Sequence, residues 1–491
     1  MRVAMNVGKR ASWRLTVGLA VVVLGALGLT APSALKAEPA VPETVTFSKD
    51  IAPILQRSCQ NCHRPDGVAP MSLVTYDEVR PYAKAISQRT HIGPHRGVMP
   101  PWYVEKNIGI QHYKDDPSLS ELELAKVAKW ADSGAPQGNP ADMPPAKSFQ
   151  SFDTWNIGQP DLIIKTEDVV VKANAPDWWG EIKSVPTHLT QDRYVTAVQV
   201  REVNDVPKDG SGRATVGGRY VFHHMIWATR VASPNDDPND PAPFAAGGTS
   251  WPVHEVGRNA DFFDPDGAQL LSAGSELVTS SVHLHSNGRD TTSHLEIGFK
   301  FAPLGYKPKY RQSLSALGNG VDIDIRPNQA NQELHAYVVA QTNLKVVSFE
   351  PHLHAPGDRM CLEAIWGYTI QTLTCVGYDH NWVRGYNYAD DSAPLLPKGT
   401  ILHIIGYMDN SASNKNVPDP RNWQGSGNRS VANMFIDLGQ RVALTDEQFQ
   451  EEMAKRREQL HLTRNDIVIG CPLCSLAFAP VRPPTTAGGG R

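Results

Sequence analysis

Short runs in which apolar and polar residues alternate occupy most of the chain. Such alternation is typical of half-buried strands, and it recurs at 161–165, 194–200 and 220–229. Proline and glycine are plentiful, with 38 and 39 residues, and they punctuate these runs as turn residues do. The pattern therefore predicts a protein that is mostly β, with many turns.

Helical spacing of apolar residues is confined to the front and the end of the chain. It predicts a helix at 50–58. Ser120 and Glu123 have the spacing of a capping box at the start of a second helix, and Thr445 and Gln448 have it at the start of a tail helix.

A chain of 491 residues is too long for one hydrophobic core and suggests about three domains. We expect a multidomain protein in which a small all-α domain is followed by two all-β domains. The predicted parts are a targeting segment at 1–37, the helical domain at 45–145, β domains at 160–320 and 321–445, and a helical and disordered tail at 446–491.

The first residues have the features of a secretory signal peptide. A basic stretch precedes the apolar run Leu15 to Leu29, and Ala37 ends a small-residue cleavage site. The alternative is an uncleaved anchor, because the run is only slightly short for a membrane span. Cleavage predicts a periplasmic or secreted protein with no remaining membrane span.

Charge argues against nucleic acid as a partner. Removal of residues 1–37 takes away five basic residues and no acidic one, so the formal net charge goes from −4 to −9. An acidic protein is repelled by nucleic acid and by anionic membrane surfaces.

Two pairs of cysteines suit an oxidising compartment. Cys361 and Cys375 flank a predicted hairpin and could pair, and Cys471 and Cys474 form a CPLC motif. CPLC could be a redox pair or a metal clip, but after export a local disulfide is the expected form.

Cys59, Cys62 and His63 form the c-type haem attachment signal CxxCH. In that interpretation the two thiols bind the haem covalently and His63 is the proximal iron ligand. The alternative is a zinc or disulfide CxxC with an incidental histidine. Met99, held in an extended segment by two prolines, is the predicted second axial ligand. Its rivals are His91 and His95.

Histidines on predicted strands are the second candidate chemistry. His352 and His354 are two residues apart, so their side chains share one face of a strand and could chelate one metal. Neutral imidazole suits copper, zinc or iron. His283 and His285 repeat this HxH pattern, although the pattern alone is a weak signal.

His223 and His224 are adjacent on another predicted strand, where neighbours normally point to opposite faces. Both can bind one metal only if the strand is distorted; spacing alone favours one core and one surface histidine. Further on, Met434 offers a thioether, which favours Cu(I) over zinc, although a single methionine is more often core filler.

These residues together resemble a known family. From about residue 160 to 445 the chain is similar to the copper type II, ascorbate-dependent monooxygenases, which include peptidylglycine α-hydroxylating and dopamine β-monooxygenase. It looks closest to bacterial members fused to an N-terminal cytochrome c, which the CxxCH and MPPW motifs resemble. The motifs that carry the resemblance are HHM at His223, SVHLH at His283, PHLH at His352 and the methionine Met434.

The resemblance implies two jelly-roll-like β-sandwich domains, each with one copper, facing each other across a solvent-filled cleft. The first copper would transfer electrons, and its ligands would be His223, His224 and His283. The second would activate oxygen as the catalytic site, with His352, His354 and Met434 as ligands.

The activity implied is hydroxylation of a C–H bond of a small organic substrate with O2, using two copper ions and one covalently bound haem c. A small reductant or a redox protein would donate the electrons. The alternative is a non-catalytic haem and copper protein for electron transfer or copper binding. A structural, haem-bearing adhesion protein would leave the ordered His and Met set unexplained.

The chain departs from the peptide-amidating pattern near these motifs. Glu350 stands where that enzyme has arginine, and Ile436 and Leu438 stand where it has asparagine and tyrosine. Those groups grip a peptide carboxylate, so peptidylglycine is not the expected substrate, and Glu350 suggests a cationic or neutral one. Ala432 and Asn433 also replace the acidic residue usual before the methionine.

Overall fold

The computed structural model describes residues 40–65, 67, 69–149, 154–207, 219–233, 248–255, 260–264, 266–318, 322–427, 432–463 and 466–475. The predicted targeting segment 1–37 and residues 476–491 of the predicted helical and disordered tail lie outside the described residues. Within the described part, no helix is both long enough and apolar enough to cross a membrane.

The helices occur at the front and the end of the chain, as predicted. Both capping boxes are present: Ser120 accepts from the backbone of Glu123, and Thr445 from that of Gln448. One turn of π-helix (Phe47–Ile51) and two of 3-10 helix (Arg80–Tyr82, Pro140–Asp142) accompany α1 (Ala52–Ser58), α2 (Tyr76–Val79), α3 (Ala83–Thr90), α4 (Glu121–Asp132) and α5 (Asp446–Gln459).

Strands make up most of the rest, so the described chain is mostly β with few helices, as expected. Before residue 320 they are β1 (Leu162–Lys165), β2 (Val169–Val171), β3 (Trp178–Gly180), β4 (Val185–Pro186), β5 (Arg193–Asn204), β6 (Phe222–Val231), β7 (Thr249–Ser250), β8 (His254–Glu255), β9 (Ala260–Phe262), β10 (Gly267–Leu271), β11 (Ser275–Leu284), β12 (Thr291–Phe301), β13 (Tyr310–Leu314) and β14 (Leu317–Gly318).

The strands after residue 320 continue the same pattern of short alternating segments. They are β15 (Gln329–Val339), β16 (Asn343–Val346), β17 (Ser348–Phe349), β18 (Pro351–Leu353), β19 (Gly357–Trp366), β20 (Thr369–Gly377), β21 (Tyr386–Asn387), β22 (Leu395–Leu396), β23 (Ile401–Asn410), β24 (Phe435–Asp437) and β25 (Gln440–Leu444).

Two sheets build the region of the first candidate histidines. One carries His223, His224 and His283, and the other packs against it. A six-stranded sheet has the order β3-β11-β6-β7, with β4 on β11 and β8 on β6. A ten-stranded sheet has the order β1-β12-β5-β10-β13-β25-β16-β22. In addition, β2 pairs with β12 and β9 pairs with β5. Their facing apolar side chains, among them Trp227, Trp251 and Phe299, form one buried core.

The ten-stranded sheet crosses the predicted boundary at residue 320. Strand β13 pairs in parallel with β10 on one side and antiparallel with β25 on the other. The β regions before and after residue 320 are therefore joined by backbone hydrogen bonds within one sheet.

A second core lies under the four-stranded sheet β15-β23-β19-β20 and the three-stranded sheet β14-β24-β18, while β17 and β21 form a separate pair. This core includes Trp102, Tyr103 and Tyr113. These residues belong in sequence to the predicted helical domain 45–145, but the segment that contains them packs into the C-terminal β region. The helices at the front of the chain have a smaller core around Phe47, Ile51 and Trp130.

The cysteine predictions for the β region and the tail are confirmed. Cys361 pairs with Cys375 across β19 and β20, and Cys471 pairs with Cys474. The second disulfide packs with Phe449 and Met453 of α5, which fixes the tail helix against the ten-stranded sheet. Cys59 and Cys62 remain free thiols.

Candidate metal centre

A β-bulge brings both adjacent histidines of β6 to one site. On the neighbouring strand β11, His283 pairs with His224, and Leu284 pairs with Phe222, so His223 is an extra residue in the ladder. Such an insertion bends the strand and redirects the side chains beside it. The strand is therefore distorted at this point, and both His223 and His224 line one cavity.

His223 lies beside two histidines: His283, which is on β11, and His285, which directly follows this strand. Its ring centre is 4.8 Å from that of His283 and 5.3 Å from that of His285. The ring of His283 stacks on Trp179 at 4.3 Å. His285 donates from Nε2 to the carbonyl of Tyr220 at 3.1 Å, which leaves its Nδ1 as the acceptor nitrogen.

His224 instead faces the HxH motif, in which His352 lies on β18 and His354 directly follows this strand. Its ring centre is 5.2 Å from that of His352, and the rings of His352 and His354 are 5.5 Å apart. His354 donates from Nδ1 to the carbonyl of Ala432 at 2.9 Å, so its Nε2 is the nitrogen available to a metal.

Glu255, on β8, connects His224 with His352. It accepts a hydrogen bond from His224 Nδ1 at 2.9 Å, and its Oε1 is 3.3 Å from His352 Nδ1 without hydrogen-bond alignment. Although burial raises its pKa, the charge and hydrogen bond of His224 and the contact with His352 hold the pKa well below its usual range. A carboxylate in this position orients imidazoles for a metal, and could itself be a ligand.

The two implied ligand sets thus form one continuous cluster, rather than two sites across an open cleft. A further histidine, His380, lies between them, with ring-centre distances of 6.1 Å to His223 and 6.0 Å to His354. The cavity that they surround holds about 20 Å³, enough for about one water molecule. Its lining residues are Trp179, His223, His224, Glu255, His283, His352, His354, Tyr378, His380 and Val383.

Several imidazole nitrogens around this cavity are buried and have no hydrogen-bond partner within the described part of the chain. They are Nδ1 of His223, Nε2 of His283, both nitrogens of His352 and Nδ1 of His380. His283 Nε2 is 3.2 Å from a carboxylate oxygen of Asp177, but not in hydrogen-bond geometry. An unsatisfied buried polar atom costs about 1–3 kcal/mol, so this concentration of them fits a site for metal ions.

Burial favours the neutral form of His223, His283, His354 and His380, and neutral imidazole is the form that binds metal. Burial, followed by the neighbouring His352, lowers the pKa of His354 to about 3. Burial also lowers the pKa of His283 to about 4, against the opposing effect of Asp177. Burial is also the largest cause that lowers the pKa values of His223 and His380.

These shifts predict acid sensitivity of the metal-free protein. The unfolded chain binds a proton at His354 below a pKa of about 6.5, whereas the folded chain stays neutral to about 3, so the free energy of unfolding falls as the pH falls. We expect His354→Asn to reduce the slope of the free energy of unfolding against pH by about 1.4 kcal/mol per pH unit between roughly pH 6 and 4. Urea unfolding with a chelator measures it, and an unchanged slope would contradict the assigned neutral state.

Other predicted site residues lie outside the cavity lining. Met434 is half-buried in the segment before β24, and it is not among the residues that line the cavity in the described part of the chain. Glu350 is buried, also outside the lining, and its carboxylate faces Gly385. Their roles as copper ligand and as substrate selector remain predictions.

The CxxCH motif directly follows α1, where His63 donates from Nδ1 to the carbonyl of Met71 at 3.2 Å. This bond leaves Nε2 as the acceptor nitrogen. The side chain of Met99 is 40% exposed. Of its rivals, His91 is bound through Nδ1 to the Ser87 carbonyl at 2.7 Å, and His95 is exposed.

Sequence reasoning missed Glu255 and gave His380 no role. Glu255 belongs to a two-residue strand with no recognisable motif. The only sequence signal that its side chain is buried is its position in the largely apolar stretch 251–256. His380 follows β20 in a turn, where no strand periodicity relates it to the other histidines.

Comparison with known proteins adds no family. No protein-family model matches the chain, and no curated protein does. Among solved structures, the infectious bursal disease virus Gx strain is 9% identical, with 58% of this chain and 74% of that chain covered and a TM-score of 0.16. The Gt strain is 12% identical, with 57% and 68% covered and a TM-score of 0.15. Scores this low carry no argument about fold or function.

Proposed function

We propose that this chain is an exported copper-dependent monooxygenase that hydroxylates a C–H bond of a small organic substrate with O2 and receives electrons through a c-type haem. The observation that carries the proposal is the cluster of buried, unpartnered imidazole nitrogens around one cavity of the described chain. The reaction type rests on the resemblance of the ordered histidine and methionine motifs to copper monooxygenases.

The donor set fits copper. Imidazoles from β6, β11 and β18 line one cavity, and imidazole is a good ligand for copper in either oxidation state. His223 and His283 would hold one ion. His224, which the resemblance assigns to that ion, faces His352 and would instead hold a second ion with His352 and His354, with Glu255 fixing its ring. When bound, copper would supply the redox chemistry that activates O2, and the surrounding apolar residues would limit access of water.

The front of the chain fits covalently attached haem. Cys59 and Cys62 are free and partly buried, and the ring of His63 is oriented by the Met71 carbonyl as a proximal ligand requires. The thiols would carry the haem, and Nε2 of His63 would bind its iron. Met99 remains the proposed second ligand.

A short segment connects the haem motif with the histidine cavity, which supports electron delivery from haem to copper. The guanidinium of Arg384 is close enough to Cys62 to oppose the rise in its pKa that burial causes. Arg384 also lies 5.3 Å from the ring centre of Trp102. Val383 and His380 line the cavity, and the four steps along the chain from His380 to Arg384 span at most about 14 Å.

One observation favours the alternative of a non-catalytic copper protein for electron transfer. The cavity of about 20 Å³ has room for about one water molecule and none for an organic substrate among the rings. Catalysis therefore requires the substrate to approach from the rim of the cluster, or the two ligand groups to separate.

Metal content with an anaerobic redox titration tests the proposal. We expect haem-matured, copper-loaded protein to contain two copper ions and one haem per chain, and the dithionite-reduced form to consume O2 faster than a sample with haem and no copper. Stoichiometric copper without faster O2 consumption would favour the electron-transfer protein. Haem without stoichiometric copper would overturn both proposed functions of the histidine cluster.

A further inference from the structure

We infer that His380 is a metal ligand that joins the two groups of histidines into one centre. The inference rests on the proposal that the cavity binds copper, but it does not depend on which reaction follows. The motifs that suggested copper ligands did not include this residue, and the geometry alone assigns it.

The ring of His380 lies within metal-sharing distance of both groups of histidines. With a metal–nitrogen bond of about 2.0 Å and a ring centre roughly 1.2 Å behind the nitrogen, two imidazoles on one metal have centres at most about 6.4 Å apart. The ring centre of His380 is 6.1 Å from that of His223 and 6.0 Å from that of His354. His380 can therefore share an ion with a histidine of either group.

One ring nitrogen of His380 is buried without a hydrogen-bond partner among the described residues. Nδ1 of His380 is shielded from solvent and has no hydrogen-bond partner among the described residues, and the ring lines the cavity. A buried imidazole nitrogen with no partner loses its hydration without compensation, at a cost of about 1–3 kcal/mol. A metal ion in the cavity would remove that cost.

Hydrogen bonds of the neighbouring residues hold the backbone on both sides of His380. On one side, the hydroxyl of Tyr378 donates at 2.5 Å to the carbonyl of Leu353, which stands between His352 and His354. On the other side, Asp379 accepts from the backbone of Asn381 at 3.0 Å and Trp382 closes a turn onto the Asp379 carbonyl at 2.9 Å. A ligand needs such supporting bonds to be preorganised.

This assignment has two consequences for the centre. An additional imidazole replaces or supplements the thioether that Met434 would supply, which makes the donor set harder and raises its preference for Cu(II) relative to Cu(I). His380 is also the ligand nearest in sequence to Arg384, so the metal would be bonded to the segment that reaches the haem motif.

The test measures copper binding without turnover. Wild-type protein, His380→Phe and the matched control His335→Phe are titrated anaerobically with Cu(I) against a colorimetric Cu(I) chelator. His335 is 41% exposed on β15, and it lies outside the cavity lining. We expect His380→Phe to raise the Kd of at least one copper by about 10-fold or more, while His335→Phe leaves both unchanged.

X-ray absorption at the copper edge distinguishes a ligand from a neighbour that only positions others. We expect fewer imidazoles per copper in His380→Phe than in wild type, with unchanged unfolding midpoints of the metal-free proteins. If His380→Phe and wild type had equal copper affinities and equal numbers of imidazoles per copper, the assignment of His380 would be overturned. The copper proposal would still stand. A wild type that binds no stoichiometric copper would overturn both.

Discussion

Replacement of His352 by alanine is expected to remove stoichiometric copper from its half of the cluster and to abolish O2 consumption by the reduced protein. The ring of His352 lies at the centre of its group: it is 5.2 Å from His224 and 5.5 Å from His354, and Glu255 approaches it to 3.3 Å. Neither of its nitrogens has a hydrogen-bond partner among the described residues, so the protein gives this imidazole no structural role that a metal would compete with.

The expected size of this effect follows from the central position of His352 among the proposed ligands. Removal of a residue that only orients a ligand costs 10- to 100-fold in metal affinity, so removal of a central ligand should cost about 100-fold or more. Copper per chain after dialysis, and equilibrium competition with a chelator, measure it. Haem content should not change, because Cys59, Cys62 and His63 lie on another part of the chain.

His294→Ala is the matched control for this prediction. His294 lies on β12 and its Nδ1 contacts Asp168 at 3.0 Å, outside the cavity lining. It should retain wild-type copper content. If His352→Ala also retained both copper ions at wild-type affinity, the metal centre would have to be sought elsewhere in the chain.

The features that the sequence predicted correctly are local. Capping boxes need only residues three apart, and both are present at Ser120 and Thr445. The disulfide of Cys361 and Cys375 joins paired positions of one hairpin. In each case a few neighbouring residues determine the geometry, so a linear pattern is sufficient.

The features that the sequence did not predict depend on contacts between distant segments. His224 faces His352 because two sheets from different parts of the chain meet, and no spacing within either strand encodes that meeting. The packing of Trp102 into the C-terminal β core is similarly long-range. Pairing of β13 with β25 across the predicted domain boundary could not be read from alternation, which marks strands without naming their partners.

A buried ion pair beneath the HxH strand is expected to be the most sensitive point for stability. Asp437 and Arg441 are 0% and 3% exposed, and their side chains are paired directly. Asp437 also accepts from the backbone of Glu350 at 2.9 Å and of Gly439 at 2.8 Å. Because Pro351 pairs with Asp437 between β18 and β24, this carboxylate fixes the strand that carries His352.

We expect Asp437→Asn to lower the free energy of unfolding by about 3–5 kcal/mol, because it leaves the guanidinium of Arg441 buried without a counter-charge. The amide keeps the shape of the side chain, so the destabilisation would come mainly from charge. Copper affinity should fall as well, since the strand before His352 loses a firm anchor. Urea unfolding of the metal-free protein and chelator competition measure the two effects separately.

The double variant Asp437→Asn/Arg441→Met separates charge from packing. With both charges gone, no ion is left buried and unpaired, so the double variant should be more stable than Asp437→Asn alone. Asp419→Asn, in the exposed pair with Arg421, should leave the unfolding midpoint where it is in wild type. A double variant no more stable than the single one would mean that Asp437 acts through its backbone hydrogen bonds, and the prediction for copper affinity would then rest on those bonds alone.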